Sequence, residues 1–262
     1  MGERYPVMEG AESFFWQGND IGVLISHGFM GTPQNVRYLG GEFAELGYTV
    51  YTPRLKGHGT HFKDMEKHNH KDWFADVENA YHFLKMRCSA IYVIGQSMGG
   101  TLALWLANKY KDIPGLVLIN AALSVPSYDY LVGKTSPKYV LGTAPDIKLE
   151  GVQEITYNQV SIHSIHELQK LMEKTYAIIP NVKSPILCFK SAEDHVVPPE
   201  NTDYIIKNAG SFQKEAVTLT NSFHVASMDH DKEEIIEKTH EYIRKNEREL
   251  KLLNKDNLRK IL

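Results

Sequence analysis

Residues 88–108 run for 21 positions without an Asp, Glu, Lys or Arg. An uncharged stretch of that length either crosses a membrane or lies inside a large core. Its middle decides between them. Gly95, Gln96, Ser97, Gly99 and Gly100 stand where a span would need apolar side chains, and glycines mark turns. The run therefore reads as a buried strand over 90–94, a sharp turn, and a buried helix over 98–110. A strand with no polar face needs apolar cover on both sides, which is the situation of a parallel sheet between two layers of helices.

The rest of the chain supplies those layers. Residues 21–26 (IGVLIS) form a short apolar run, and Val36, Leu39, Phe43 and Leu46 then recur at helical spacing up to Gly47, a helix stop. A strand is expected over 48–53, a helix over 71–88 through Phe74, Val77, Tyr81 and Leu84, and a strand over 116–119. Parallel neighbours need crossover connections, so this alternation predicts an α/β fold with a mostly parallel central sheet and helices on both faces. The pattern lapses over 121–180, where only Ile162, Ile165, Leu168, Leu171 and Met172 mark a helix of modest length. It resumes with a strand over 186–189, a helix over 201–208, a strand over 216–219 and a helix over 232–245. The expected division is a core over 1–120, a small inserted cap over 121–180, a second core part over 181–245 and a basic tail helix over 246–262. A chain of 262 residues is a common length for one such domain.

Charge excludes some functions. Twenty-nine Lys and Arg against 32 Asp and Glu, mixed along the chain, give a net charge of -3 and no basic face, so no nucleic-acid partner is expected. Cys88 and Cys188 form neither a disulfide framework nor a zinc spacing. The first residues lack a basic stretch followed by an apolar one, so a cytoplasmic protein without stable membrane insertion is expected. The last 19 residues hold seven basic and three acidic groups. Their Leu250, Leu253, Leu258 and Ile261 would line one helical face, suited to docking on the body, to pairing as a homodimer or, weakly, to an anionic lipid surface, against the plainer reading of an extra surface helix or frayed end.

The turn between the strand at 90–94 and the next helix reads Gly95-Gln96-Ser97-Met98-Gly99. This G-x-S-x-G pattern, in a strand-turn-helix setting, exposes a serine hydroxyl above a sheet at a helix N-terminus, where developing negative charge is favoured. Alone the pattern is weak. Upstream, the strand at 21–26 ends in His27-Gly28-Phe29-Met30-Gly31, where this arrangement places the first of two oxyanion donors. The expected donors are the N–H groups of Phe29 and Met98, and the bulky Phe29 also walls an acyl pocket. A serine needs a base, and the base an orienting carboxylate. The strand at 186–189 leads into Glu193-Asp194-His195, and the strand at 216–219 into Asn221-Ser222-Phe223-His224. His224 is the expected base and Asp194 the acid. Glu193 carries the same chemistry next door, and strand-end geometry favours Asp194. The order Ser97, Asp194, His224 is that of the strand-turn-helix serine hydrolases and of neither serine-protease order.

Among the other histidines, His27 is read as structural, holding the oxyanion loop, and His58 and His61 as turn and rim. His68, His70, His163, His166, His230 and His240 are read as solvated or helix-surface residues. No metal-ligating spacing is present, and neither metal nor organic cofactor is called for.

Several blocks resemble the α/β-hydrolase superfamily, and more closely the Bacillus-type monoacylglycerol lipases and carboxylesterases: HGFMGTPQ at 27–34, PRLKGHGTH at 53–61, GQSMGGTL at 95–102, INAA at 119–122, EDHVVPP at 193–199 and NSFHVA at 221–226. The resemblance covers about residues 20–245. It implies a cytosolic hydrolase with a short cap that cleaves medium-chain esters, monoacylglycerols in particular, with Ser97, Asp194 and His224 as the triad and Phe29 and Met98 as oxyanion donors. It also implies that Glu154, in the cap, faces the glycerol end of the substrate, against the plainer reading of a solvated helix charge. Gln96 departs from the leucine common among relatives. Two rival readings stand beside this one. The first is a carboxylesterase or acyl transferase of non-glycerol esters, and the second a binding module that keeps the fold without the chemistry.

Overall fold

The computed structural model describes residues 2–259. Nine strands and seven α-helices follow in chain order: β1 (Phe14–Trp16), β2 (Ile21–Ser26), α1 (Gln34–Glu45), β3 (Thr49–Thr52), α2 (Phe62–Met65), α3 (His70–Lys85), β4 (Ala90–Gln96), α4 (Met98–Lys109), β5 (Leu116–Ile119), β6 (Tyr139–Leu141), β7 (Gln159–Ser161), α5 (Ile162–Ile178), β8 (Ile186–Ser191), α6 (Glu200–Asn208), β9 (Lys214–Leu219) and α7 (Lys232–Arg259). Seven strands make one sheet in the order β1-β3-β2-β4-β5-β8-β9. All neighbours are parallel except β1, which pairs antiparallel with β3.

Alternate residues of each inner strand feed two cores. Leu24, Ile91, Val93, Leu116, Leu118, Ile186 and Cys188 point to one side, where they meet Trp73, Val77 and Leu84 of α3, Leu102 and Leu106 of α4, and Ile165 and Leu168 of α5. Val23, Ile25, Tyr92, Ile94, Val117, Ile119, Leu187 and Phe189 point to the other, against Val36, Leu39 and Phe43 of α1 and Ile235 and Ile243 of α7. The two-residue period of a strand thus makes both faces of the sheet apolar, as the uncharged run at 88–108 required.

Several elements depart from the expected pattern. β1 is three residues long, too short for alternation to show, and the two-stranded antiparallel sheet of β6 and β7 within 121–180 is equally short. α5 runs 17 residues and joins the main core, so the insert is welded to the body through its helix. α7 does not stop at 245 but continues as one helix to Arg259. On the proposed tail face Leu250 is partly exposed. The side chains of Leu253 and Leu258, and Ile261 altogether, lie outside the described residues. Among the described residues no helix is long and apolar enough to cross a membrane.

Candidate active site

Ser97 occupies the turn between β4 and α4 with φ 54° and ψ -121°. This left-handed backbone costs a residue with a side chain about 1–3 kcal/mol. The flanking glycines make the turn sterically feasible. A Cβ on Gly95 would lie 2.2 Å from the Gly99 carbonyl oxygen, and one on Gly99 2.2 Å from that of Ser26. With hydrogen in both places the chain reverses tightly enough to set the serine on the first turn of α4, where the free N–H groups and the helix dipole favour negative charge.

The loop after β2 faces Ser97 and is strained as well, with Met30 at φ 63°. Its anchor is His27. The Nε2 atom of this fully buried ring accepts the Leu55 N–H at 3.2 Å, which leaves the proton on Nδ1, and Nδ1–H donates to the Gly28 carbonyl at 2.9 Å. Burial, the largest influence, lowers its pKa to about 4 and keeps it uncharged at neutral pH. The Gly28 carbonyl and the Phe29 N–H belong to one planar peptide and point in opposite directions, so a ring that holds the carbonyl also sets the direction of the N–H. Among the described residues neither Phe29 N–H nor Met98 N–H finds an acceptor. Both are free for a ligand oxygen.

His224, on the loop after β9, places Nε2 2.9 Å from Ser97 Oγ and Nδ1 2.8 Å from Asp194 Oδ2. The second oxygen of Asp194 accepts the N–H groups of Val196 and Val197 at 2.9 and 2.7 Å. Of the two adjacent carboxylates, Asp194 is enclosed and reaches His224, whereas Glu193 is exposed and lies 3.4 Å from His195. The structure therefore brings Ser97, Asp194 and His224 into one hydrogen-bonded line, with Phe29 and Met98 beside it. Ser97 is itself almost covered, with 9% of its surface exposed, and it lines a small cavity.

That cavity has a volume of about 90 Å³ and is walled by Phe29, Val125, Tyr128, Leu168, Glu154 and His224, among others. Glu154 lies in an extended segment, not on a helix. Gln34 pins that segment by bonding the Gln153 carbonyl at 2.7 Å and the Ile155 N–H at 3.1 Å. Asn35 Nδ2 donates to Glu154 Oε1. Burial raises the Glu154 pKa, and the Asn35 bond and His224 oppose the rise only in part. A solvated helix charge is thus the wrong description. Beyond Val125 a larger apolar groove of about 580 Å³ runs past Leu123, Met172 and Tyr176.

Three supporting residues were not foreseen. Asn120, directly after β5 at φ 45°, donates to the carbonyl of His224 at 2.9 Å and to Ser191 Oγ at 2.9 Å. Its place at a strand end was the signal available. Gln96 is buried and accepts the Ser227 N–H at 3.2 Å, so the departure from leucine ties the serine turn to the histidine loop. Asp146, from the insert, touches both the acid loop and the base loop. Nothing in its sequence context marks it.

Several histidines sit differently from expectation. His58 is fully buried against His27 and Trp73, not on a rim, and burial with the neighbouring His27 keeps its pKa well below the ordinary value. His68 and His70 are buried too. Flanking the Asn69–Asp72 capping box that starts α3, His70 Nδ1 lies 2.6 Å from Glu167 Oε2 of α5, and His68 Nδ1 lies 3.5 Å from Asp72 Oδ2. Among the described residues no group of three or more His, Cys, Asp or Glu gathers as a metal site would require.

A mostly parallel sheet bearing a serine at a strained strand-helix turn, with an acid and a histidine on the loops after two later strands, is the architecture of an α/β-hydrolase. The chain belongs to the family described as serine aminopeptidase, S33, whose model matches residues 19–231. It is 46% identical over 247 residues to the thermostable monoacylglycerol lipase of Bacillus sp. (strain H-257), covering 94% of this chain and 99% of that one. It is 25% identical over 238 residues to a carboxylesterase of Bacillus subtilis (strain 168), covering 88% and 96%. A solved structure from work on LipS and LipT, two metagenome-derived lipolytic enzymes, is similar with a TM-score of 0.89 and 42% identity, covering 92% of this chain and all of that one.

Proposed function

We propose that this protein hydrolyses monoacylglycerols to fatty acid and glycerol through an acyl-enzyme on Ser97. The observation that carries the reading is the line from Asp194 through His224 to Ser97, at 2.8 and 2.9 Å, opening on a cavity that the half-buried Glu154 also lines. The relative named as a monoacylglycerol lipase supports the substrate. Ser97 Oγ attacks the ester carbonyl while His224 Nε2 takes its proton, and Asp194 steadies the resulting imidazolium. The oxyanion lies between Phe29 N–H and Met98 N–H, each donor contributing about 10²–10³ in rate. His224 then returns the proton to the leaving glycerol oxygen. Water, deprotonated by the same nitrogen, frees the acid.

Glu154 supplies the alcohol preference by bonding the diol, since buried polar groups penalise a substrate that leaves them unpaired. At about 90 Å³ the cavity is well below the roughly 300–1,000 Å³ of an ordinary ligand pocket. A medium acyl chain therefore enters by parting the wall of Val125, Tyr128 and Leu168 toward the larger groove, and a triacylglycerol brings two further chains with no room for them. A carboxylesterase of simple esters is the second reading, favoured by the apolar part of the lining formed by Phe29, Val125, Tyr128, Leu168 and Val196.

The test first asks, on a separate sample, whether a fluorophosphonate labels Ser97, and then compares kcat/KM of the unlabelled enzyme on mono-, di- and triacylglycerol and on an aryl ester. Monoacylglycerol is expected to lead, and Glu154→Ala to erode that lead several-fold more than it slows the aryl ester. Equal rates on mono- and triacylglycerol would discard the substrate, and an unlabelled Ser97 the mechanism.

A further inference from the structure

Asp146 stands between the two loops on which the proposed chemistry depends. One carboxylate oxygen, Oδ2, accepts the N–H of His195, the residue after Asp194, and the N–H of His224 itself, both at 3.1 Å. The other, Oδ1, accepts the His195 ring Nδ1–H at 2.8 Å. Its own carbonyl accepts the Val225 N–H at 3.0 Å. The side chain is 14% exposed and borders the same cavity as Ser97 and His224. Two and three residues on, the insert is fixed a second time: the buried Asp229 accepts the N–H groups of Lys148 and Leu149 at 2.7 and 2.8 Å, and that of Phe223 at 2.9 Å.

We infer that Asp146 is a positioning residue through which the insert sets the register of the Asp194 loop against the His224 loop, so that acid and base align only while the segment carrying Asp146 is docked. The physical argument is one of degrees of freedom. The two loops leave different strands, β8 and β9. Besides the Asp194–His224 bond they meet where Ser191 Oγ donates to the Phe223 carbonyl at 2.8 Å, at the base of the loops, and where the His195 ring stands edge-on to that of Phe223 at 4.7 Å. Asp146 is what fixes that His195 ring and ties the two backbones beside acid and base. Asn120 holds the carbonyl of His224 from the sheet side. Asp146 holds its N–H from the cavity side and joins it, through a single oxygen, to the amide beside Asp194. Removing that oxygen leaves two amides short of an acceptor and lets the loops shift relative to each other. A displacement of about 1 Å in a reacting group can cost 10²-fold in rate. The inference rests on the serine ester hydrolase reading, though not on the choice of glycerol as the alcohol.

The experiment measures kcat and KM on a short-chain aryl ester for the wild type, Asp146→Ala, Asp146→Asn and Asp146→Ser, and for Asp194→Ala with and without Asp146→Ala. Asp146→Ala is expected to lower kcat roughly 10–100-fold with KM within about threefold. Asparagine keeps an acceptor oxygen at the same reach and is expected to restore kcat to within about fivefold of wild type. In the Asp194→Ala background the same alanine change should cost less than about threefold, because it acts through a pair already broken. Should Asp146→Ala fail to fold, Asp146→Ser, whose shorter hydroxyl cannot reach both amides, is expected to show the same loss. An unchanged kcat in the folded alanine or serine variant, a loss carried by KM alone, or the full loss repeated without Asp194 would each overturn the inference. A wild type that neither turns over the aryl ester nor reacts with fluorophosphonate would instead remove the underlying reading.

Discussion

Among the described residues two buried histidine-carboxylate pairs differ in what the ring faces, and the difference favours one of them as the proposed site. In one, His224 Nδ1 lies 2.8 Å from Asp194. In the other, His70 Nδ1 lies 2.6 Å from Glu167. Both pairs are almost wholly enclosed, with side-chain exposures of 8% and 1% in the first and 6% each in the second. They part at the opposite ring nitrogen. His224 Nε2 meets the Ser97 hydroxyl over a cavity, whereas His70 Nε2 has no partner among the described residues and packs near Trp105. The His224 pair sits on loops beyond the C-terminal ends of β8 and β9, where parallel strands deliver side chains to one rim. The His70 pair joins the start of α3 to α5, inside a helix layer. An imidazole with a carboxylate behind it is thus a proton carrier only where the fold puts a nucleophile and space in front of it. Elsewhere it is a fastener.

The largest effect should come from removing what stands in front of the first pair. Ser97→Ala is expected to lower kcat by about 10⁴–10⁶ while the protein still unfolds cooperatively near the wild-type temperature. Retention of a tenth of the esterase activity would place the nucleophile elsewhere. Next is the carboxylate behind the imidazole. Asp194→Asn should cost on the order of 10⁴ in kcat by favouring the wrong tautomer, whereas Glu193→Gln, on an exposed carboxylate that faces His195, should change kcat less than about threefold. A greater loss in Glu193→Gln would break the assignment.

The second pair predicts the reverse behaviour. Glu167→Ala should leave kcat within about twofold and lower the unfolding free energy by about 3 kcal/mol in urea melts, because it strands one half of a buried pair. A loss of kcat with unchanged stability would erase the distinction between the two pairs. The smallest effect is the pH dependence of that contribution. Burial alone would raise the Glu167 pKa, but bonds to Lys170 and His70 outweigh it and hold it at about 2. The unfolded chain then takes up its proton first, so the stabilisation is complete above the ordinary carboxylate value of 4.5 and is lost as the pH falls toward 2. Stability measured between pH 5 and pH 3 should therefore decline more steeply in the wild type than in Glu167→Ala, and parallel slopes would argue against the depressed value.

Legibility in the sequence followed the range of the interaction. The uncharged run at 88–108, the strand at 116–119 and the helices flanking them were readable because burial on both faces writes a local and continuous apolar signal. The serine turn was readable because only glycine tolerates its close backbone approaches at 95 and 99. Asp194 and His224 were found by their place just past apolar strands. The insert was poorly legible, since three-residue strands such as Tyr139–Leu141 and Gln159–Ser161 leave no period to detect.

What the sequence by itself determined is therefore the doubly covered sheet, the serine turn and the strand ends that carry Asp194 and His224, each written in a few consecutive residues. Only the tertiary structure decided which carboxylate of the Glu193-Asp194 pair faces the imidazole, that His68 and His70 turn inward, that Glu154 is held by Asn35, and that Asp146 crosses 49 and 78 positions to hold His195 and His224. The physical reason is that a buried polar group is fixed by the partner that satisfies it. That partner comes from whatever segment the packed core happens to bring within 3 Å or so, and no local pattern of residues encodes the meeting.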